Sequence, residues 1–249
     1  MSSFALGGNA EMNGGWLEPV PHDLSADVRL WWVDLDGYAS AISLDGLDAG
    51  EHARAARMAV GRDAQRYRAS RHALRRLLAS ALDRLPETLV IETDEFGKPH
   101  FADGSSLHFN LSHSGHEGLI GVSPDRAIGV DIEVVHPVVD AVPLARAHFT
   151  DDELAAWSGA AERLRDRTFL TCWTRKEACV KALGVGLSAL PASIEVGCKS
   201  DLRAVGVSFG MGRCEVALQS LRLPSDAVAA VALAGSEAVR QARRRFRQP

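Results

Sequence analysis

The sequence predicts an α+β protein with two similar lobes. Short extended runs rich in β-branched residues occur in both halves, and each half also contains one long segment with helical spacing of its apolar residues. No repeat of individual residues relates the two halves. We predict an N-terminal lobe over residues 16–125 and a C-terminal lobe over 126–249. The Gly- and Asn-rich residues 1–15 are expected to be disordered.

The first half is expected to begin with a strand at Val28–Leu35, where apolar residues alternate. Helical spacing follows at about Leu47–Met58 and at Arg62–Leu85. The next extended runs are short and separated by turn residues, which predicts a sheet with tight turns. These runs are LVIETDEFGKPHF, LHFNLSHS, EGLIGVSP and AIGVDIEVV.

The second half is expected to open with a helix in FTDDELAAW, where Thr150 is the N-cap and Glu153 completes a capping box. A longer helix is predicted at Arg163–Leu183. Three strands then follow, before a basic C-terminal tail, VRQARRRFRQP. The strands are SIEVG, CEVALQSLRL and AVAAVALAG.

The composition is that of an ordinary globular protein, with 46% hydrophobic and 24% charged residues. A formal net charge of −4 excludes a globally basic nucleic-acid-binding protein. The four cysteines lack CxxC spacing and an accompanying His pattern, which argues against a zinc site and a disulfide framework. The chain shows no signal-peptide pattern and no apolar run of about eighteen residues, so we expect a cytoplasmic protein without membrane contact.

Two carboxylates, Asp131 and Glu133, lie in the β-branched run IGVDIEVV. Residues two apart in a strand point to the same face, so both side chains are expected on one face. Like charges about 4 Å apart repel by roughly 4 kcal/mol at an effective dielectric constant near 20, so the pair requires a cation, a proton or water. An edge strand with a solvated face is the alternative, and it gives the two charges no chemical role.

A third carboxylate lies in the helical segment WTRKEACVKALGVGL. Trp173, Glu177 and Lys181 are four residues apart, which places them on one stripe of a helix. A surface ion pair between Glu177 and Lys181 would contribute only about 0.3 to 0.5 kcal/mol and is the alternative interpretation. The tryptophan on the same stripe indicates that this face is partly buried.

Two turn segments add further polar side chains, His113 in NLSHSG and Lys98 in FGKPHF. With Asp131, Glu133, Glu177 and Lys181 they give three carboxylates, one imidazole and two ammonium groups, without a thiol. Oxygen ligands suit Mg²⁺ or Mn²⁺, and nearby cations suit a ligand that carries several phosphates. A Mg²⁺ that is also bound by a diphosphate is the simplest interpretation.

The order of these motifs resembles the surfactin-type 4′-phosphopantetheinyl transferases. The motifs are GKPHF, NLSHSG, GVDIE, FTDDE and WTRKEACVKALGVGL, and the resemblance extends from about Arg54 to Leu187. It implies a pseudo-twofold fold of two lobes, with coenzyme A and Mg²⁺ in the cleft between them.

The resemblance also implies roles for individual residues. Glu177 and Lys181 are the expected catalytic residues, and the expected metal ligands are Asp131, Glu133 and Glu177. The residues expected to contact coenzyme A are Arg54, Lys98, Pro99, His100, Ser112, His113, Asp131 and Lys181. Glu51 departs from relatives that carry a further basic residue there. Glu153 matches a family glutamate, but its capping box favours a structural role.

The reaction implied is attack by a serine of an apo acyl or peptidyl carrier protein on the phosphorus of coenzyme A nearest pantetheine, with release of adenosine 3′,5′-bisphosphate. Glu177, directly or through a bound water, is the candidate base. A Mg²⁺-dependent hydrolase of the same diphosphate and an inactive coenzyme A-binding module are the alternatives. We expect a monomer that docks its carrier along His136–Phe149 and serves polyketide, nonribosomal peptide or fatty acid biosynthesis.

Overall fold

The structure is a computed structural model that describes residues 15–185, 192, 194–199, 201–209 and 212–246. The expected disorder of residues 1–15 falls almost wholly outside this range. The elements of the first half are β1 (Leu17–Pro19), β2 (Arg29–Asp34), α1 (Leu35–Ala41), α2 (Ala49–Ala56), α3 (Gly61–Leu82), β3 (Ile91–Thr93), β4 (Pro99–Phe101), β5 (His108–Ser114) and β6 (Glu117–Ser123). Those of the second half are β7 (Ala127–Glu133), α4 (Ala141–His148), α5 (Asp151–Ser158), α6 (Arg165–Leu183), β8 (Leu202–Phe209), β9 (Gly212–Leu221), β10 (Val228–Ala234) and α7 (Ser236–Phe246).

Each half builds one four-stranded antiparallel sheet with a long helix against it. The first sheet has the order β1-β2-β6-β5 and packs on α3, and the second has the order β7-β10-β9-β8 and packs on α6. A separate hairpin pairs β3 with β4. The predicted α+β fold of two similar lobes is confirmed, whereas the proposed boundary near Asp125 stays a prediction.

Helix α3 packs through residues at helical spacing. Ala69, Ala73 and Leu77 recur every fourth position and are fully buried in the core of the first lobe. The helix ends at Asp83, which adopts a left-handed conformation with φ of 52°. The predicted helix at Arg62–Leu85 is therefore confirmed with shifted ends.

The two lobes share a hydrophobic core around β7. Leu30 and Leu119 of the first lobe pack in one cluster with Ile128 and Val130 of the second. Every residue of β7 except Glu133 is buried. The alternative of an edge strand with a solvated face is thus wrong, because the outer edge of β7 lies against the neighbouring lobe.

Helix α6 approaches β7 very closely at Gly129. A Cβ atom at this position would lie 2.2 Å from the carbonyl oxygen of Ala178 and 2.3 Å from the amide nitrogen of Ala182. Only glycine allows this approach. It brings the face of α6 that carries Glu177 and Lys181 next to the carboxylates of β7.

Several elements differ from the predictions. The elements β1, α1, α4 and β8 were not predicted from the sequence. Residues 194–197 of the predicted strand SIEVG form no strand, because the Val196 and Gly197 amides donate to the Glu153 carboxylate, and Ser193 lies outside the described residues. The basic tail is largely the helix α7, whose Ala238 and Ala242 are buried. Within the described residues, no helix combines the length and apolar character that crossing a bilayer requires.

Candidate active site

Strand β5 lies beside β7, and its serine hydroxyls donate hydrogen bonds to the carboxylates of β7. Ser112 Oγ donates to Asp131 Oδ1 at 2.8 Å, and Ser114 Oγ donates to Glu133 Oε2 at 2.6 Å. The Asn110 side chain also accepts from the Val130 amide at 2.8 Å. The two strands, which belong to different sheets, therefore lie side by side, and Asp131 and Glu133 face the same way, as predicted.

Helix α6 adds one cation and one carboxylate to this face. Lys181 Nζ donates to Asp131 Oδ1 at 2.6 Å and to Ser112 Oγ at 3.1 Å. Glu177 is only 7% exposed, and among the described residues it has no ion pair and no hydrogen-bond partner for its side chain. The partner of Lys181 is therefore Asp131, and the surface ion pair between Glu177 and Lys181 is not formed.

The carboxylates are crowded and partly unsatisfied. Burial raises the pKa of Glu177 to about 7, and the negative charge of Asp131 adds to the rise while Lys181 opposes it. Burial also raises the pKa of Glu133, although the hydrogen bond from Ser114 opposes the rise. Asp131 Oδ2 is buried and has no hydrogen-bond partner among the described residues. This cluster favours binding of a proton or a cation.

The carboxylate oxygens are suitable ligands for a divalent cation, but their present positions do not form a metal site. Among the described residues, no three carboxylate, imidazole or thiol side chains are placed to hold a metal ion as they stand. The orphaned oxygen of Asp131 and the raised pKa of Glu177 are nevertheless features that a hard cation with oxygen ligands would relieve. The chemistry of these residues therefore suits such an ion, and the assignment of Asp131, Glu133 and Glu177 as its oxygen donors stays a prediction.

A cavity of about 360 Å³ opens between the lobes beside this cluster. Glu177 and Lys181 line one wall, and the β3–β4 turn with Phe96 and Pro99 lines the other. Several residues that line the cavity were not predicted, because their positions there depend on the contact between the lobes. These are Arg71, Phe96, Asn110, Leu111 and Val180.

The expected phosphate-binding residues lie at different places around the cleft. His113 follows Ser112 on β5, and its partial burial together with the charges of Lys181 and Arg54 lowers its pKa. Arg54 is exposed on α2, and its guanidinium lies 5.4 Å from the centre of the Tyr67 ring. His113 is therefore close enough to Lys181 and Arg54 to be affected by their charges, and its lowered pKa favours the neutral imidazole. Contact of either residue with a phosphate stays a prediction.

The ammonium of Lys98 is already engaged. Nζ donates to the carbonyl oxygens of Ile128 at 3.2 Å, Lys181 at 2.6 Å and Ala182 at 3.0 Å. The last two belong to the final turn of α6, whose partial negative charge a cation stabilises. Burial, with a smaller effect of Arg243, lowers the Lys98 pKa to about 7. The Lys98 ammonium therefore binds the C-terminal end of α6.

The two residues that follow Lys98 differ in their position relative to the cavity. Pro99 lines both the cavity that contains Glu177 and Lys181 and a second cavity. His100 is exposed, lies 4.0 Å from Glu92 through Nε2, and lines the second cavity without lining the first. The structure therefore does not bring His100 to the predicted site.

Glu51 has a structural role that explains the departure from basic relatives. Its carboxylate accepts from the Asp48 amide in the capping box of α2 and is only 5% exposed. Arg71 Nε and Arg75 Nε each donate to it, at 2.6 and 2.7 Å. Glu51 therefore holds two arginines of α3 in place, including the Arg71 side chain that lines the cavity.

Glu153 also has a structural role. Its side chain completes the predicted capping box with Thr150 and pairs with Lys176 at 2.7 Å. The same carboxylate accepts from the amides of Val196 and Gly197. These contacts occupy both of its oxygens within the second lobe and account for its burial.

Comparison with known proteins gives the same family in both lobes. Residues 31–123 match the family described as "4′-phosphopantetheinyl transferase, N-terminal", and residues 127–230 match the "4′-phosphopantetheinyl transferase superfamily". The 4′-phosphopantetheinyl transferase HetI of Nostoc sp. is 34% identical over 70% of this chain and 77% of its own length. AcpT of Salmonella typhimurium is 38% identical over 56% and 76%, and psf-1 of Bacillus pumilus is 35% identical over 50% and 56%.

Members of this superfamily use coenzyme A as substrate, generally with a divalent metal, and act on carrier proteins. The HetI match covers more than two thirds of that relative, and the two family matches together cover most of both sheets of the structure. The chain therefore belongs to the 4′-phosphopantetheinyl transferase superfamily, the enzymes that transfer phosphopantetheine to carrier proteins.

Proposed function

We propose that the chain is a surfactin-type 4′-phosphopantetheinyl transferase that modifies a serine of an apo acyl or peptidyl carrier protein. The observation that carries the proposal is the buried cluster of Asp131, Glu177 and Lys181 at the wall of the interlobe cavity. The surfactin-type assignment is supported by the motif order and by the presence of both lobes in one chain. Since one chain supplies both walls of the cavity, we also propose a monomer.

The cationic side chains are proposed to bind coenzyme A. Lys181 reaches the centre of the cluster, and Arg54 and His113 lie close enough to each other to interact electrostatically. Such an arrangement suits a ligand with a diphosphate and a separate phosphate, because each anionic group can meet a different cation. Ser112 keeps Lys181 oriented by accepting its second hydrogen bond.

The proposed metal ligands are Asp131, Glu133 and Glu177, with Mg²⁺ as the expected ion and Mn²⁺ as an alternative. When bound, the ion would neutralise negative charge on the diphosphate of coenzyme A. Without the ion, the Lys181 ammonium neutralises part of the negative charge of the Asp131 carboxylate. Lys181 is therefore placed to contact either the carboxylate or a phosphate oxygen of the substrate.

The proposed chemistry requires a base for the serine hydroxyl. Glu177 is buried and carries no competing hydrogen bond among the described residues, so we propose it as the proton acceptor. Burial raises its pKa to about 7 without a metal ion, and a bound cation would lower that pKa and favour the ionised form that accepts a proton. As the serine oxygen bonds to the phosphorus nearest pantetheine, its proton passes to Glu177. The bond from that phosphorus to the bisphosphate oxygen breaks, and Lys181 stabilises the charge left on the adenosine 3′,5′-bisphosphate.

The test is incubation with coenzyme A, Mg²⁺ and a panel of apo carrier domains, followed by mass spectrometry of each carrier. A mass gain of one phosphopantetheine group that requires the acceptor serine would support the proposal. Cleavage of coenzyme A without a carrier would identify a hydrolase instead. Binding of coenzyme A without any product would indicate an inactive binding module, and the absence of binding would contradict the assignment of the cavity.

A further inference from the structure

We propose that Arg243 of α7 is a positioning residue that holds the β3–β4 turn against the coenzyme A cavity. The C-terminal helix thereby sets the affinity for coenzyme A without touching it. This inference rests on the proposed function, because it takes the interlobe cavity as the coenzyme A site. It concerns a residue outside the predicted site and outside the motifs that carry the family resemblance.

Arg243 contacts the turn from the second lobe by two kinds of interaction. Its Nη2 donates to Asp94 Oδ2, and the two side chains are 26% and 19% exposed. Its guanidinium carbon also lies 5.7 Å from the centre of the Phe96 ring. A partly buried ion pair and a cation–π contact therefore connect α7 to the turn that lines the cavity.

Asp94 connects Arg243 to the backbone of the turn. Its Oδ1 accepts from the Phe96 amide at 3.0 Å and from the Lys98 amide at 2.9 Å. Gly97 between them adopts a φ of 80°, a conformation that favours glycine. Since one carboxylate oxygen shapes the turn and the other binds Arg243, the position of α7 and the shape of the turn are coupled.

The same guanidinium packs on the end of α6, the helix that carries Glu177 and Lys181. A Cβ atom at Gly184, the C-cap of α6, would lie 2.6 Å from Arg243 Nη2 and 3.2 Å from Lys98 Cδ. The turn, the end of α6 and α7 therefore meet at one point without room for another side chain. Movement of Arg243 would shift the Phe96 and Pro99 wall relative to Glu177.

Helix α7 is firmly attached on its other face. Ala238 and Ala242 are buried in the core of the second lobe, and the helix contacts α6, β8 and β9. Arg244 and Arg245, in contrast, are exposed. Arg243 is thus the arginine through which this helix reaches the turn, and Arg244 offers a matched control on the same helix.

The first experiment compares steady-state transfer by the wild type and by Arg243→Ala. We expect the KM for coenzyme A to rise about tenfold, while kcat and the KM for the carrier change less than about twofold, because the turn lines the proposed coenzyme A cavity and lies outside the segment proposed for the carrier. Arg243→Lys should recover part of the affinity through the Asp94 contact. Arg244→Ala should equal the wild type in all three constants.

A double-mutant cycle with Asp94→Asn tests the coupling itself. The asparagine keeps an oxygen for the turn amides but loses the ion pair, so Arg243→Ala should add little to its effect. Full additivity, or equal changes in both KM values and kcat, would overturn the inference and leave Arg243 a purely structural residue. A wild type that neither binds coenzyme A nor transfers it would instead contradict the proposed function.

Discussion

Lys181 Nζ lies 2.6 Å from Asp131 Oδ1, whereas the other oxygen of the same carboxylate is buried without a partner among the described residues. Asp131 is therefore only half satisfied by the protein. Lys181 is 28% exposed and can turn toward the cavity, while Asp131 at 5% cannot leave the interior. The pair combines a fixed anion with a movable cation, which suits a site that must accept both a metal ion and a phosphate.

Changing Asp131 to asparagine should nearly abolish transfer while leaving the fold intact. We expect a loss of at least about 100-fold in kcat, equivalent to about 2.7 kcal/mol. In EDTA the free energy of unfolding should change by less than about 1 kcal/mol, because the lost pair with Lys181 is offset by weaker repulsion of Glu177. Carrier mass spectrometry and thermal unfolding measure the two effects.

The matched control for Asp131→Asn is Asp226→Asn, since Asp226 pairs with Arg167 but is 95% exposed. This control should change neither quantity. A large drop in melting temperature of Asp131→Asn in EDTA would make Asp131 a structural residue.

Replacing Lys181 by alanine tests its catalytic role. We expect kcat to fall by about 100-fold or more and Lys181→Arg to recover little, because a planar guanidinium does not replace a compact ammonium. The buried Asp131 carboxylate would keep the hydrogen bond from Ser112 but lose its ion pair, so the free energy of unfolding in EDTA should fall by about 1 to 3 kcal/mol. Lys199→Ala, at an exposed position, is the control. More than about a third of wild-type kcat in Lys181→Ala would disprove the catalytic role.

Local periodicity was sufficient to predict which side chains share a face. The spacing of two in β7 placed Asp131 and Glu133 together, and the spacing of four in α6 placed Glu177 and Lys181 together. The capping box of Thr150 and Glu153 was likewise visible in the sequence. These relationships lie within single elements, whose geometry is set by backbone repeat.

Contacts between distant segments could not be predicted from local periodicity. Lys98 reaches the Lys181 carbonyl 83 residues away, and no local pattern indicates that its ammonium binds there. The close approach of α6 at Gly129 was equally hidden, because a glycine in a strand has several explanations. The role of Glu51 became clear only when two arginines of α3 were found on its carboxylate.

Two substitutions in the β3–β4 hairpin distinguish the role of Lys98 from that of His100. Lys98→Met leaves three carbonyl groups without their donor, so the free energy of unfolding should fall by about 1 to 3 kcal/mol. His100→Gln, at an exposed position outside the cavity, should change neither stability nor the KM for coenzyme A. Thermal unfolding and steady-state kinetics test both. A raised KM in Lys98→Met at unchanged stability would instead favour a direct nucleotide contact.

Buried histidine makes stability depend on pH. The His72 ring is 6% exposed and lies 3.1 Å from the Tyr38 hydroxyl, and burial followed by the charge of Arg76 lowers its pKa below 6.5. The unfolded chain therefore binds a proton more readily, so the free energy of unfolding should fall as pH drops below about 6.5. Denaturation at several pH values should show a shallower fall for His72→Gln and no change in slope for His52→Gln, which is exposed. An unchanged slope in His72→Gln would contradict this account.

Val139 is a suitable position for testing the proposed carrier-docking segment, His136–Phe149. Val139 is 80% exposed, so Val139→Asp should leave stability unchanged. If the carrier docks there, the KM for the carrier should rise about tenfold while the KM for coenzyme A stays constant. The measurement is steady-state transfer with each substrate varied in turn. Equal changes in the two KM values would remove this segment from the docking surface.

Two further positions show whether the effect of Val139→Asp is specific. Leu85 is 62% exposed in the first lobe, so Leu85→Asp introduces the same charge away from the segment and should change neither KM. Leu144 packs against the core of the second lobe, so Leu144→Asp should lower the melting temperature. A carrier-specific effect that appears in Val139→Asp without loss of stability therefore reports contact with the carrier, because core damage would act on both substrates.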